Sequence, residues 1–205
     1  HLMENKNTPN IVPSQQTGKA IDAKSSIELT GEMEARSFFA EVKNKLQNVN
    51  QWKEYAGNLS ATFQLVNAEG KEIDRPAQKG DYFKIDIPGP GSTSGEGYDW
   101  VQIEEVESKS SPDGESFGFR VRPTDNPQNS KQDVAHFYSE ESTSSFVVER
   151  NGYRITASVH DRNTKPNTDA DSTTDKIRDA VVGAAGALSF SKIQWQNLTD
   201  GLLKE

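Results

Sequence analysis

The chain has 205 residues, no cysteine, 31 acids against 23 bases and a net charge of −8. That length suits one domain with its own core, and the missing cysteines exclude disulfides and thiolate metal sites. The acidic balance argues against nucleic acid and anionic membrane surfaces, which attract basic patches, and no apolar run approaches the ~20 residues of a membrane span.

His1-Leu2 ahead of Met3 reads as a cloning remnant, and no secretory leader follows Met3. The stretch to Ser25 is rich in Asn, Gln, Ser, Thr and Lys, with Ile11, Val12 and Ile21 as its sizeable aliphatics. Residues 1–25 are therefore expected to be a remnant and a flexible arm, and residues 26–205 a single domain. A cytoplasmic home fits the composition.

Ser26-Ile27-Glu28-Leu29-Thr30 reads as a short strand ended by Gly31. From Glu32 to Tyr55, Ala35, Phe38, Phe39, Val42, Leu46, Val49 and Trp52 fall three and four apart, the stripe of an amphipathic helix. The polar run Gln47–Gln51 is weak in helix propensity, so a bend or split is expected there, with Trp52 and Tyr55 on a second short piece. Period-two alternation predicts strands at 59–65, 83–87, 98–106 and 117–121. Asn151-Gly152 sits between two further strand patterns, 144–150 and 153–160, and is a hairpin signal because both residues tolerate positive φ. Tyr153, Ile155, Ala157 and Val159 then share one face. A second helix is predicted from Ser172 or Thr173 onward, with Ile177, Val181, Ala184, Leu188, Trp195, Leu198 and Leu202 as its stripe and Gly183 and Gly186 thinning its middle.

Helix, antiparallel strands, long C-terminal helix is the element order of an α+β helix-grip fold. Phe38-Phe39-x-x-Val42 followed by Asn50-Gln51-Trp52-Lys53-Glu54-Tyr55 resembles the first helix pair of the START-like (SRPBCC, polyketide cyclase-like) superfamily. The likeness runs from about Ser26 to Leu203, although the usual N-terminal strand is faint. It implies a cavity between sheet and C-terminal helix for a small hydrophobic, lipid-like or aromatic ligand. It implies no cofactor and transfers no catalytic residue.

The side chains expected to line such a cavity are Trp52, Phe63, Trp100, Phe119, His136, Tyr153, Ala184, Leu188 and Trp195. Other groups read as structure. The glycine-rich 88–97 segment lacks the Gly-Lys-Ser/Thr of a phosphate loop and is a hairpin tip. His160 faces out if Val159 faces in, and Arg120 and Arg122 face away from Phe119 and Val121, toward Glu104 and Glu105. His136 and His160 lack the spacing of a zinc site. No catalytic set or metal site is expected. The runner-up reading is a non-catalytic protein-interaction module with a filled core, and a cyclase- or hydrolase-type enzyme comes third.

Overall fold

The computed structural model describes residues 10–58, 60–87, 98–128, 138–165 and 191–205. Seven strands form one antiparallel sheet: β1 (Lys19–Glu28), β2 (Thr62–Val66), β3 (Tyr82–Asp86), β4 (Asp99–Ser111), β5 (Gly114–Thr124), β6 (Thr143–Asn151) and β7 (Arg154–Thr164). Their order is β1-β7-β6-β5-β4-β3-β2, so β1 and β2 are opposite edges although only a helical segment separates them in the chain. That segment, α1 (Glu32–Gln47), a 3-10 turn (Val49–Gln51) and α2 (Trp52–Ala56), must therefore cross one face of the sheet. At 1.5 Å per residue α1 reaches only about 24 Å, and the turn and α2 complete the crossing.

The expected split falls where the polar run is. α1 ends at Gln47, and Asn48 leaves helical geometry at ψ 69°. Asn50 then ties the turn to the far edge: its Oδ1 accepts from the Leu65 backbone N–H at 2.7 Å and its Nδ2 donates to the Ile73 carbonyl at 2.9 Å.

A last helix, α3, occupies residues 191–202 and lies on the same inner face. It touches both edges of the sheet. Gln194 Oε1 accepts from the Ala61 backbone N–H just before β2, at 2.9 Å, and Thr199 Oγ1 meets Ser25 Oγ of β1 at 2.9 Å. Two edges that both reach a stretch of helix one and a half turns long require a strongly curled sheet. This is the helix-grip arrangement.

The core lies within the concavity. Trp52 is wholly buried, with its ring 5.1 Å from Phe63, 5.7 Å from Phe83, 6.1 Å from Phe119 and 4.9 Å from Phe146. Its indole N–H, which burial would otherwise leave unmet, donates to the Leu46 carbonyl at 3.0 Å. Phe38, Val42 and Ile155 are buried as expected, while Ile85 is only partly so. Val181, Ala184 and Leu188, the inner stripe expected for the upstream part of the last helix, and the 88–97 tip lie outside the described residues.

The arm expected before Ser25 is corrected from Asn10 onward. Lys19–Ser25 belong to β1, paired with β7 from Lys19↔Thr164 to Glu28↔Arg154. Upstream, Ile11 is buried against the outer face of the sheet, and its carbonyl accepts from Arg120 Nη1 at 2.7 Å. It fits there because residue 118 is glycine: a Cβ at Gly118 would stand 2.8 Å from the Ile11 side chain. Amide exchange of the β1 N–H groups that face β7 is therefore expected to be slow, close to that of β7 itself. Exchange at the rate of an unstructured chain would contradict the pairing.

Candidate functional site

The inner face is apolar along most of its length and becomes polar at one end. β7 places Ile155, Ala157 and Val159 inward, all buried, and the period of two carries Asp161 to the same face. Asp161 is buried. Its Oδ2 accepts the indole N–H of Trp195 on α3 at 2.9 Å, and its Oδ1 accepts the Ser144 hydroxyl of β6 at 2.6 Å. Asp99, at the start of β4, is also buried at this end. The Tyr138 hydroxyl lies 2.6 Å from Ser191 Oγ, on the first described turn of α3.

These groups act on one another electrostatically. Burial pushes the Asp161 carboxyl up to about 6, although the Ser144 and Trp195 hydrogen bonds favour its charged form. Burial also pushes the Tyr138 phenol up; the Ser191 contact favours ionisation, but the negative charges of Asp161 and Asp99 oppose it. Near neutral pH, Tyr138 is therefore a neutral hydroxyl, and Asp161 is poised between acid and carboxylate. The end of the grip holds one group that can exchange a proton, one neutral donor-acceptor and an aromatic wall, Trp195, whose ring is 5.1 Å from Phe146 and 6.2 Å from Phe63.

The raised carboxyl has a consequence for stability. A folded-state value above the unfolded 3.8 means that the native state binds more protons, so stability falls as pH rises from about 4 to about 6. Asp161→Asn keeps an acceptor for Trp195 and removes the buried charge. It is expected to stabilise the protein at pH 7 by about 1–3 kcal/mol, since each tenfold change in proton affinity on folding is worth about 1.4 kcal/mol, and to flatten the pH dependence in that window. Urea unfolding at pH 4.5 and pH 7 measures both, and a variant less stable than wild type at pH 7 would show that the charge is well compensated.

Of the residues expected to line the cavity, the structure brings Trp52, Phe63, Phe119 and Trp195 together on the inner face. Two others lie elsewhere. Trp100 is on the outer face with Val66, Tyr82 and Tyr98, because Asp99 and Val101 take the inward positions of β4. Tyr153 precedes β7 in the hairpin turn and is 50 % exposed. His136, Ala184 and Leu188 are outside the described residues. His160 does face outward, with Asp22 as its partner. Arg120 and Arg122 share Glu104: Arg120 Nε donates to Oε1 at 2.5 Å and Arg122 Nε to Oε2 at 2.8 Å. Burial alone would raise the Glu104 carboxyl, but those two hydrogen bonds outweigh it and hold it below its ordinary range. With its charge so engaged, the pair of arginines is not a ready anion site.

Sequence reasoning missed Asp161, Asp99 and Tyr138. The signal for Asp161 was present: it stands two residues beyond Val159 on the same strand.

Fold and interior together define an α+β helix-grip domain. Among solved structures, the chain is similar to a hypothetical protein from Helicobacter pylori, at 13 % identity and a TM-score of 0.53, over 99 % of this chain and 96 % of that one. This likeness shows the fold alone. More distant are truncated norcoclaurine synthase from Thalictrum flavum, at 8 % identity and TM-score 0.38 over 94 % of this chain and 99 % of that one, and Ara h 8.0201, at 13 % and 0.33 over 86 % and 96 %. No family model matches the chain, and no curated protein matches it. Among the described residues no helix is long and apolar enough to cross a membrane.

Proposed function

We propose that the protein binds a small hydrophobic or aromatic molecule between the sheet and the C-terminal helix, with the molecule's polar end at Asp161 and Tyr138. The observation that carries this reading is the buried Asp161 carboxyl. Burying an ionisable group against aromatic rings is costly, and a packed core alone gives no reason to keep one. Binding sites have the opposite need: apolar walls with a few polar groups that fix orientation. Trp195 belongs to both, as a wall by its ring and as Asp161's partner by its N–H. Leu188 and Ala184, about one and two turns upstream of Ser191 in the helical pattern of the sequence, extend the proposed lining.

A second reading has its own observation. The rings around Trp52 contact one another directly, so the half of the interior beneath α1 and α2 is filled. A protein-interaction module would need no more than that. A hydrolase or cyclase would use Asp161 as its proton-exchanging group.

Titration with a neutral, environment-sensitive dye such as Nile red separates the readings. Saturable binding is expected, and Ala184→Trp, which adds bulk to the proposed wall, is expected to weaken it at least tenfold while the protein stays folded. Absence of saturable binding by wild type favours the interaction module.

A further inference from the structure

The outer face of β1 and β7 carries a ladder of polar side chains. In the register of the two strands Asp22 stands opposite His160 and Lys24 opposite Ser158. His160 Nδ1 is 2.6 Å from Asp22 Oδ1, and His160 Nε2 is 3.1 Å from Ser158 Oγ. When the ring proton sits on Nδ1, facing the carboxylate, Nε2 turns its lone pair to the serine hydroxyl. A hydroxyl, an imidazole and a carboxylate in hydrogen-bonded sequence form the arrangement that activates a serine, and it is recognised by geometry and not by fold or chain order.

Two further features fit the roles. Partial burial acts to raise the Asp22 carboxyl, but hydrogen bonds to His160 and Arg162 outweigh it and hold the group below its ordinary range. The carboxylate therefore stays charged and fixes the ring tautomer. Lys24 stands across the strand pair from Ser158; directly opposed residues are about 5 Å apart between Cβ atoms, so its side chain is within reach of the ester's carbonyl oxygen, on which negative charge develops when Ser158 adds. None of these groups touches the polar end of the interior, which lies on the other face of the sheet.

We propose that Ser158, His160 and Asp22 form a nucleophilic site on the outer face that accepts acyl groups from small activated esters. Ser158 Oγ bonds to the ester carbonyl carbon while its proton passes to His160 Nε2. The bond from that carbon to the leaving alcohol's oxygen breaks, and the departing alkoxide takes the proton. Water then repeats the sequence, releasing the carboxylic acid and restoring the hydroxyl. Ser158 is 7 % exposed and the His160 side chain 25 %, which limits the site to compact acyl groups.

The test is labelling with diisopropyl fluorophosphate, read by peptide mass spectrometry. Folded wild-type protein is expected to take one label, on Ser158, and heat-unfolded protein none. His160→Gln, shown to be folded by circular dichroism, is expected to label at least a hundredfold more slowly, since a general base contributes about 10²–10⁴. No label on wild type, a label on another residue, or an unchanged rate in folded His160→Gln would each overturn the proposal. The wild-type mapping stands by itself should the variant fail to fold.

Discussion

Replacing Trp52 by alanine is expected to lower the free energy of unfolding by about 3–5 kcal/mol, the range for removing a large buried aromatic. The loss should fall at the upper end for a specific reason. Trp52 touches four phenylalanines that come from four different strands, β2, β3, β5 and β6. A void there is lined by rigid sheet on one side and by the α1–α2 turn on the other, and neither can collapse into it easily. The indole N–H is also lost as the donor to Leu46 O, which leaves a buried carbonyl unmet. Denaturant unfolding with an unchanged m-value would report the loss directly. A change below about 1 kcal/mol would mean that the cluster is not the centre of the core.

Gly201→Ala is the second large effect, and its sign is the informative part. On an open helix face this change would stabilise by about 1 kcal/mol, because alanine is the better helix former. At Gly201 a Cβ would lie 1.8 Å from the Tyr55 carbonyl oxygen and 2.4 Å from its carbon. Both are backbone atoms, so no side chain can swing aside. α3 would have to shift away from α2, taking Leu198 and Leu202 out of the core. A loss of about 3 kcal/mol is expected, the upper end of the overpacking range. A variant as stable as wild type would show that the two helices do not approach so closely.

The glycines that thin the middle of the predicted last helix, Gly183 and Gly186, leave space for either the sheet's aromatics or a ligand, and both lie outside the described residues. The one close approach shown among the described residues of that helix is Gly201, against another helix. Glycine in a helical pattern signals that something comes near; it does not say what.

Elements whose inner faces carry large apolar side chains were legible. α1, its break, β2, β3, β5 and the β6–β7 hairpin follow from periodicity and turn chemistry, with strand bounds off by up to four residues; the turn itself is Gly152-Tyr153, one residue later than Asn151-Gly152, because Asn151 pairs with Arg154 and Gly152 takes the positive φ. β1 was not legible upstream of Ser26, and its partners explain why. Its inward positions include Ala23 and Ser25, and Ser25 hydrogen-bonds Thr199 of α3 where an apolar strand would have carried a large side chain. The apolar/polar contrast on which strand reading depends is therefore weak, carried upstream of Ser26 by Ile21 and Ala23 alone. Without β1, neither the Asp22–His160 pair nor the anchoring of the N-terminal segment can be inferred.

β4 hid its faces for a different reason. Trp100 and Val101 are adjacent and both apolar, so alternation alone assigns neither, and the bulge between Ile103 and Glu105 shifts the parity that Val106 would have supplied. Only Lys84↔Trp100 pairing in the assembled sheet fixes Trp100 outward. The polar end of the interior was obscured by expectation: Asp161 lies between His160 and Arg162, and a run of three charged or polar residues reads as a solvated surface unless strand parity is applied to each one.

The chain has three tryptophans, and the structure gives each indole N–H a different address. Trp52 donates to Leu46 O within the core, Trp100 is on the outer face, and Trp195 donates to Asp161 at the polar end of the interior. Two-dimensional ¹⁵N–¹H spectra, with the indole signals assigned by single Trp→Phe variants, therefore report where a ligand goes. Titration with a neutral aromatic ligand is expected to shift the Trp195 indole resonance in a saturable manner, to leave Trp100 unmoved, and to change the pH at which the Trp195 signal follows Asp161 titration. A ligand that moves Trp100 alone, or that leaves Trp195 unmoved at its solubility limit, would contradict binding between the sheet and the C-terminal helix.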